Sequence, residues 1–330
     1  MHDWEKESQK CNSAPVIIRM SQPVALLVVG MAGSGKSTFV QMLNAHLLEQ
    51  EEPFPYLINL DPAIPSFPDE EVPFNLDIRD TVDYKSVMKE YNLGPNGAIL
   101  TSLNLFATKF DQVIELVQAR DPTHVLVDTP GQIEIFTWSA SGNVISTSFS
   151  DKWPTVMVYV VDAVRCIDPN TFISNMLYAC SIMYKSKLPF VLVFNKIDLQ
   201  PSEMFIEWMT DFEAFQQALH EGERETSFST SLVHSMSLVL EEFYAQMQTV
   251  SVSATTGQGM GEFMQVVQKA ALEWTPPANA SSSEDEHKPL EKLTKRSDSV
   301  SGKTAVDSST DDNGTTESNL DSAVGRLQIK

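Results

Sequence analysis

Residues 30–38 read Gly30-Met31-Ala32-Gly33-Ser34-Gly35-Lys36-Ser37-Thr38, the spacing G-x-x-x-x-G-K-[ST]. The stretch directly follows an apolar run, Val24–Val29, and opens a helical pattern at Ser37–Leu48. That is the context in which such a loop cradles phosphate. Glycines let the backbone fold tightly and aim its N–H groups at anionic oxygens. The helix that follows adds the positive end of its dipole. Gly33, Ser34, Gly35 and Thr38 are then expected to frame a polyphosphate, Lys36 to reach its β- and γ-phosphates, and Ser37 to give a hydroxyl to Mg²⁺. The competing reading is a plain glycine-rich turn, which leaves the Lys36-Ser37 pair unexplained.

Two carboxylates stand where such chemistry needs them. His124–Val127 is an apolar run that ends in Asp128-Thr129-Pro130-Gly131-Gln132. An acid ending a buried strand beside a phosphate loop is placed to organise Mg²⁺; a helix N-cap is the alternative use of Asp128. Gly131 lets a backbone N–H approach a γ-phosphate, and Gln132 is a candidate to orient the attacking water, against the plainer reading of a solvated side chain. Asn59-Leu60-Asp61-Pro62-Ala63 closes the run Tyr56–Leu60, so Asp61 is expected at the γ-phosphate edge, able to polarise that water.

The base is read further along. After Phe190–Phe194 comes Asn195-Lys196-Ile197-Asp198. The Asp198 carboxylate can accept from both N1–H and the 2-amino group of guanine. Adenine offers an acceptor there instead, and an unpaired buried polar group costs on the order of 1–3 kcal/mol. The Lys196 stem can lie along the base plane. Past the run Thr249–Val252, Ser253-Ala254-Thr255 offers the Ala254 amide to the guanine O6. Four residues recur by chance; their order after a phosphate loop and a strand makes GTP, with GDP as product, the expected ligand.

Elements must hold these residues at one edge. The runs Val24–Val29, Tyr56–Leu60, His124–Val127, Val156–Val161, Phe190–Phe194 and Thr249–Val252 are short, rich in Val, Ile and Leu, and apolar on both faces. Central parallel strands covered by helices on both sides read this way. Helical patterns lie between them, at Ser37–Leu48, Thr108–Gln118, Thr171–Lys185 and Gly261–Trp274. The alternation predicts an α/β fold: a doubly wound, mainly parallel sheet of the P-loop NTPase kind, with right-handed crossovers and ligands at the carboxyl ends of the strands. Two segments, about 62–110 and 200–245, are too long for simple connections and read as helical insertions. The aromatics and methionines of the second, Phe205, Trp208, Phe212, Phe215, Phe243 and Tyr244 with Met204, Met209 and Met236, fit either core packing or a hydrophobic groove for a peptide. Gly94-Pro95-Asn96-Gly97 is by itself only a turn signal.

Composition bounds the rest. The chain has 330 residues, 42% hydrophobic, with Lys plus Arg 23 against Asp plus Glu 44, a net charge of −21. So acidic a chain disfavours direct nucleic-acid binding, where phosphate contacts dominate affinity, and a polybasic membrane anchor. Three cysteines, Cys11, Cys166 and Cys180, form no C-x-x-C pair, which argues against a disulfide framework or zinc cluster and suits a reducing compartment. No apolar run nears the roughly 18 residues that span a bilayer, and the first residues lack the apolar core of a secretory signal. Residues 1–22 are expected to be flexible and 23–274 to form the folded domain. Residues 275–330, with ten acidic against seven basic residues and no aromatic after Trp274, are expected to be a disordered acidic tail, either an inert extension or a regulatory one.

The motifs together resemble the GPN-loop GTPases, named for the tripeptide that stands here as Gly94-Pro95-Asn96. The likeness covers about 24–274 and includes GMAGSGKST, NLDPA, DIRDTV, GPNGAILTSLNLFATKFDQV, DTPGQIEIF, VYVVDA, FNKIDL and VSATTGQG; the tail resembles that of the long-tailed eukaryotic paralogue. The resemblance implies a homodimer, or a heterodimer with another GPN-loop GTPase, in which each GPN loop is inserted toward the active site and Asn96 contacts the phosphate region. It implies that Asp61, Asp128 and Gln132 organise Mg²⁺ and water. Asp80 is a weaker candidate, with a helix N-cap for Thr81–Tyr91 as the alternative. Met31 stands where related dimeric ATPases with a deviant phosphate loop carry a signature Lys. By the same resemblance the chain is expected to assist RNA polymerase II assembly and nuclear import, with polymerase subunits and chaperones as partners, shuttling between cytoplasm and nucleus. A nucleotide-stabilised scaffold that needs no turnover, and a kinase or ATPase of the same fold, are the competing functions.

Overall fold

In the computed structural model, the residues described are 22–49, 54–64, 74–222 and 247–275, with 240, 243 and 244 between them. They lie in the first of two units, 1–276; the second, 277–330, falls outside the described residues, as do nearly all of the expected flexible start and of the expected acidic tail.

Seven strands form one sheet in the order β3-β2-β4-β1-β5-β6-β7. They are β1 (Val24–Gly30), β2 (Tyr56–Asn59), β3 (Leu76–Asp77), β4 (His124–Asp128), β5 (Thr155–Asp162), β6 (Phe190–Asn195) and β7 (Gln248–Val252). Every pairing is parallel. Six strands lie on the six apolar runs. The seventh, β3, was not expected: two residues carry no readable pattern, and Leu76-Asp77 is a strand because it pairs with Ile58 and Asn59 of β2. β1 sits between β4 and β5 and is buried along its whole length, which is why its sequence VALLVVG has no polar side chain to turn outward.

The crossovers cover both faces. On one, α1 (Lys36–Glu49) lays Phe39, Val40, Leu43 and Leu47 against alternate residues of the strands, beside Phe263, Met264, Val267 and Ala271 of the last helix, here α11 (Met260–Glu273). Phe39 and Phe263 meet edge to face with centroids 5.0 Å apart. Each such fully buried side chain contributes roughly 1.5–3 kcal/mol by leaving water. Further α-helices among the described residues include α2 (Ile78–Thr81), α3 (Tyr84–Glu90), α4 (Pro95–Ala107), α5 (Phe110–Arg120), α6 (Ile133–Thr137), α7 (Ala140–Ser150), α8 (Pro169–Ser186), α9 (Glu203–Thr210) and α10 (Phe212–Gly222). Phe172 of α8, Phe194 of β6, Phe205 and Trp208 of α9 and Phe215 of α10 form one connected ring cluster. Phe205, Trp208, Met209 and Phe215 are buried, so these members of the insertion pack the core rather than line a groove; Met236 lies outside the described residues.

Two local expectations change. The N-cap of α3 is Asp83, whose carboxylate accepts from the Lys85 amide; Asp80 is exposed inside α2 and caps nothing. Gly94-Pro95-Asn96-Gly97 is not a free turn but the start of α4, with Gly94 as N-cap and Pro95 in the first helical turn. Proline suits that position because the first helical N–H has no intrahelical partner to lose.

Candidate functional site at the carboxyl edge of the sheet

The phosphate loop leaves β1 and enters α1. Gly33 and Gly35 have φ of +80° and +89°. A Cβ on Gly35 would lie 2.5 Å from the Asn195 amide nitrogen, so glycine is required by close approach as well as by dihedral. Lys36 is buried, and its Nζ donates to the carbonyls of Gly30 at 2.9 Å and Met31 at 3.1 Å. Burial lowers its pKa, opposed by the charges of Asp128 and Asp61. Ser37 and Thr38 stand in the first turn of α1.

Asp128 closes β4, fully buried, and neither carboxylate oxygen has a hydrogen-bond partner of acceptable geometry. Burial pushes its pKa up to about 6, while the nearby Ser37 hydroxyl and the Lys36 charge pull it down. It is no helix N-cap, since α6 begins only at Ile133 with Gln132 before it. An orphaned buried carboxylate beside a serine hydroxyl at a phosphate loop fits a hard cation with oxygen ligands; Ser37 and Asp128 are the residues that would hold Mg²⁺.

Asp61 follows β2 and reaches the same edge. Its Oδ2 accepts from the Gly131 amide at 3.2 Å and its Oδ1 from the Ala63 amide at 2.9 Å. Burial raises its pKa above the ordinary carboxylate value, against those two amides and the charges of Lys36 and Arg79. A Cβ on Gly131 would lie 3.9 Å from the Ala32 Cβ and 4.0 Å from Asp61 Oδ2, so the backbone passes between loop and acid. Gln132 is half-buried, and its Nε2 donates to Asn96 Oδ1 at 2.6 Å. The GPN asparagine therefore meets the candidate water-orienting glutamine within one chain.

At the base end, Asn195 joins two loops. Its Nδ2 donates to the Ser34 carbonyl at 2.9 Å, and its Oδ1 accepts from the Ala254 amide at 3.0 Å and the Lys196 amide at 2.8 Å. The Ala254 N–H, expected to face a guanine O6, is thus taken inside the protein, and a base would have to share it. Asp198 is exposed, and one oxygen is fixed by the Ser253 hydroxyl at 2.7 Å. The Lys196 stem crosses to the phosphate loop, where Nζ donates to the Gly33 carbonyl at 2.9 Å and to Asp162 Oδ2 at 2.7 Å.

Asp162 and Arg165 were not singled out from the sequence. Asp162 ends β5 as Asp128 ends β4, and that shared placement was the available signal. It lies 3.6 Å from Arg165, whose Nη1 donates to the Ala32 carbonyl at 3.0 Å. Asn59, Asp77 and Arg79 were missed as well, because their meeting depends on β3.

Known proteins share this chain's sequence and fold. A family model described as a conserved hypothetical ATP binding protein matches residues 28–273. GPN-loop GTPase 1 of Schizosaccharomyces pombe is 54% identical over 261 residues, covering 77% of this chain and 70% of that protein. GPN-loop GTPase 1 of Dictyostelium discoideum is 54% identical over 255 residues, covering 77% of this chain and 63% of that protein. In Saccharomyces cerevisiae the corresponding figures are 53%, 76% and 66%. The chain thus spans about two thirds of these relatives' own length. Among solved structures, a GTPase in apo form from Pyrococcus abyssi superposes with a TM-score of 0.63 at 23% identity, covering 75% of this chain and 97% of that one, which supports the fold. The family description names ATP, whereas the relatives' names say GTPase. With more than half of the aligned residues identical to these relatives, and a family model that matches residues 28–273, this chain belongs to the GPN-loop GTPase family.

Proposed function

We propose that the chain is a Mg²⁺-dependent dimeric switch that binds GTP and hydrolyses it to GDP and phosphate. The observation that carries this reading is the meeting of Asp61, Gly131 and Gln132 beside Ala32 at the outer edge of the phosphate loop. Lys36 and the loop amides bind the β- and γ-phosphates. Ser37 and Asp128 would hold Mg²⁺, whose charge offsets that developing on the phosphate oxygens. Gln132, with its Nε2 committed to Asn96, presents its Oε1 as acceptor for the attacking water. As the water oxygen bonds to the γ-phosphorus and the bridging P–O bond breaks, Asp61 accepts the water's proton. An acid held above its usual range by burial is the better base for that step.

The dimer reading rests on the GPN motif at the exposed start of α4 and on the family. So does the wider role, assisting RNA polymerase II assembly and nuclear import with polymerase subunits and chaperones, in cytoplasm and nucleus. Single-turnover hydrolysis by Asp61→Ala and Gln132→Ala, with nucleotide competition, tests the core claim. Both variants are expected to lose at least about tenfold in rate while still preferring guanine. Wild-type rates in both would discard the mechanism, and equal binding of ATP would discard the guanine site.

A further inference from the structure

At the carboxyl edge of the sheet three polar side chains stand in one row. Asn59 of β2 is in register with Asp77 of β3 on one side and Asp128 of β4 on the other. Asn59 is fully buried and Asp77 nearly so. Asn59 is spent entirely on its neighbours: its Oδ1 accepts from the Asp61 amide at 2.9 Å, and its Nδ2 donates to the Asp61 carbonyl at 3.2 Å and to Asp77 Oδ1 at 3.1 Å. Asp77 is gripped from the far side by Arg79. The guanidinium Nε lies 3.0 Å from each carboxylate oxygen, and Nη2 lies 2.6 Å from Oδ2. Arg79 Nη1 also donates to the Ile64 carbonyl at 3.4 Å, so one side chain ties the start of α2 to the segment that carries Asp61.

We propose that Arg79, acting through Asp77 and Asn59, is a positioning residue that fixes the Asp61 carboxylate at the outer edge of the phosphate loop. This rests on the proposed role of Asp61 in hydrolysis. The path is continuous: Arg79 holds Asp77, Asp77 orients the Asn59 amide, Asn59 pins the Asp61 backbone on both sides, and the Asp61 carboxylate then lies on the Gly131 amide. The planar fork is essential, because it fixes the carboxylate plane that Asn59 reads; a lysine supplies a charge at one point and leaves that plane free to rotate. A carboxylate misplaced by an ångström costs up to about a hundredfold in rate without any loss of binding.

The test uses the full chain with Arg79→Ala, Arg79→Lys, Asp61→Ala and the Arg79→Ala/Asp61→Ala double variant. Single-turnover GTP hydrolysis is expected to fall about tenfold or more in Arg79→Ala, with GTP affinity within about twofold, and Arg79→Lys is expected not to restore it. On the Asp61→Ala background the Arg79 change should add nothing, since a residue that works through another has no effect once the other is gone. Amide exchange gives a second, chemistry-free readout. The Asp61, Ala63 and Gly131 amides should exchange faster in Arg79→Ala while those of α1 keep their protection. Unchanged exchange at those three amides, or an equal rate loss in the presence and absence of Asp61, overturns the proposal. Wild-type turnover by Asp61→Ala would remove the role of Asp61 in the chemistry, leaving exchange to decide whether Arg79 positions it.

Discussion

Replacing Asp128 by Asn separates the cost of the site from its use. The carboxylate is fully buried with neither oxygen hydrogen-bonded, and its pKa stands at about 6 against an ordinary 3.8. The folded protein therefore holds this proton more tightly than the unfolded chain does. Its stability is greatest below the unfolded value and is lost as pH climbs through about 6. The difference of about 2 units corresponds to about 3 kcal/mol of destabilisation at pH 8, of which only about 0.5 kcal/mol is present at pH 4. Asparagine carries no charge and escapes this penalty, but its amide N–H groups enter the same pocket, at a cost of about 1–3 kcal/mol that does not vary with pH. The stability of Asp128→Asn relative to wild type should thus rise by about 2.5 kcal/mol between pH 4 and pH 8, with wild type the more stable at the acid end. Urea unfolding of protein stripped of nucleotide and magnesium measures this directly. In the second arm, Mg²⁺ with GTP should raise the unfolding midpoint of wild type by mass action, and the Mg²⁺-dependent part should vanish in the variant. A relative stability flat across that pH range would refute the argument from burial, and an undiminished Mg²⁺ response would remove Asp128 from the metal site.

Two further outcomes follow from contacts at the phosphate loop. Gly35→Ala places a Cβ 2.5 Å from the Asn195 amide at a φ of +89°, so guanine nucleotide affinity, read by calorimetry, should fall about five- to hundredfold, the equivalent of the roughly 1–3 kcal/mol such strain costs; unchanged affinity would show that loop and Asn195 yield freely. Asp162→Ala leaves Lys196 and Arg165 without their shared carboxylate, and since Lys196 is about a third exposed the expected effect is modest, a GDP dissociation rate several-fold faster in stopped flow, with no change marking that bridge as dispensable.

Chemistry that depends on neighbours in the chain was legible from the sequence. The phosphate loop is nine consecutive residues of recognisable spacing, and Asn195-Lys196-Ile197-Asp198 is likewise a pattern of neighbours. The strands were legible because a parallel sheet buried on both faces demands unbroken apolar runs, and only β3, two residues long, escaped. What tertiary structure alone decided are meetings across the sheet order. Asn195 reaches Ser34 from 161 residues away, Lys196 reaches Gly33 from 163, and Gln132 meets Asn96 from 36. None leaves a local pattern, because the spacing of such partners is set by which strands lie side by side. The same holds for the Arg79–Asp77–Asn59 row, which exists only because β3 pairs with β2, and for the Ala254 amide, whose engagement by Asn195 follows from β6 and β7 ending together. Residue types announced what the edge of this sheet can bind; the strand order determined which side chains hold one another in place to do it.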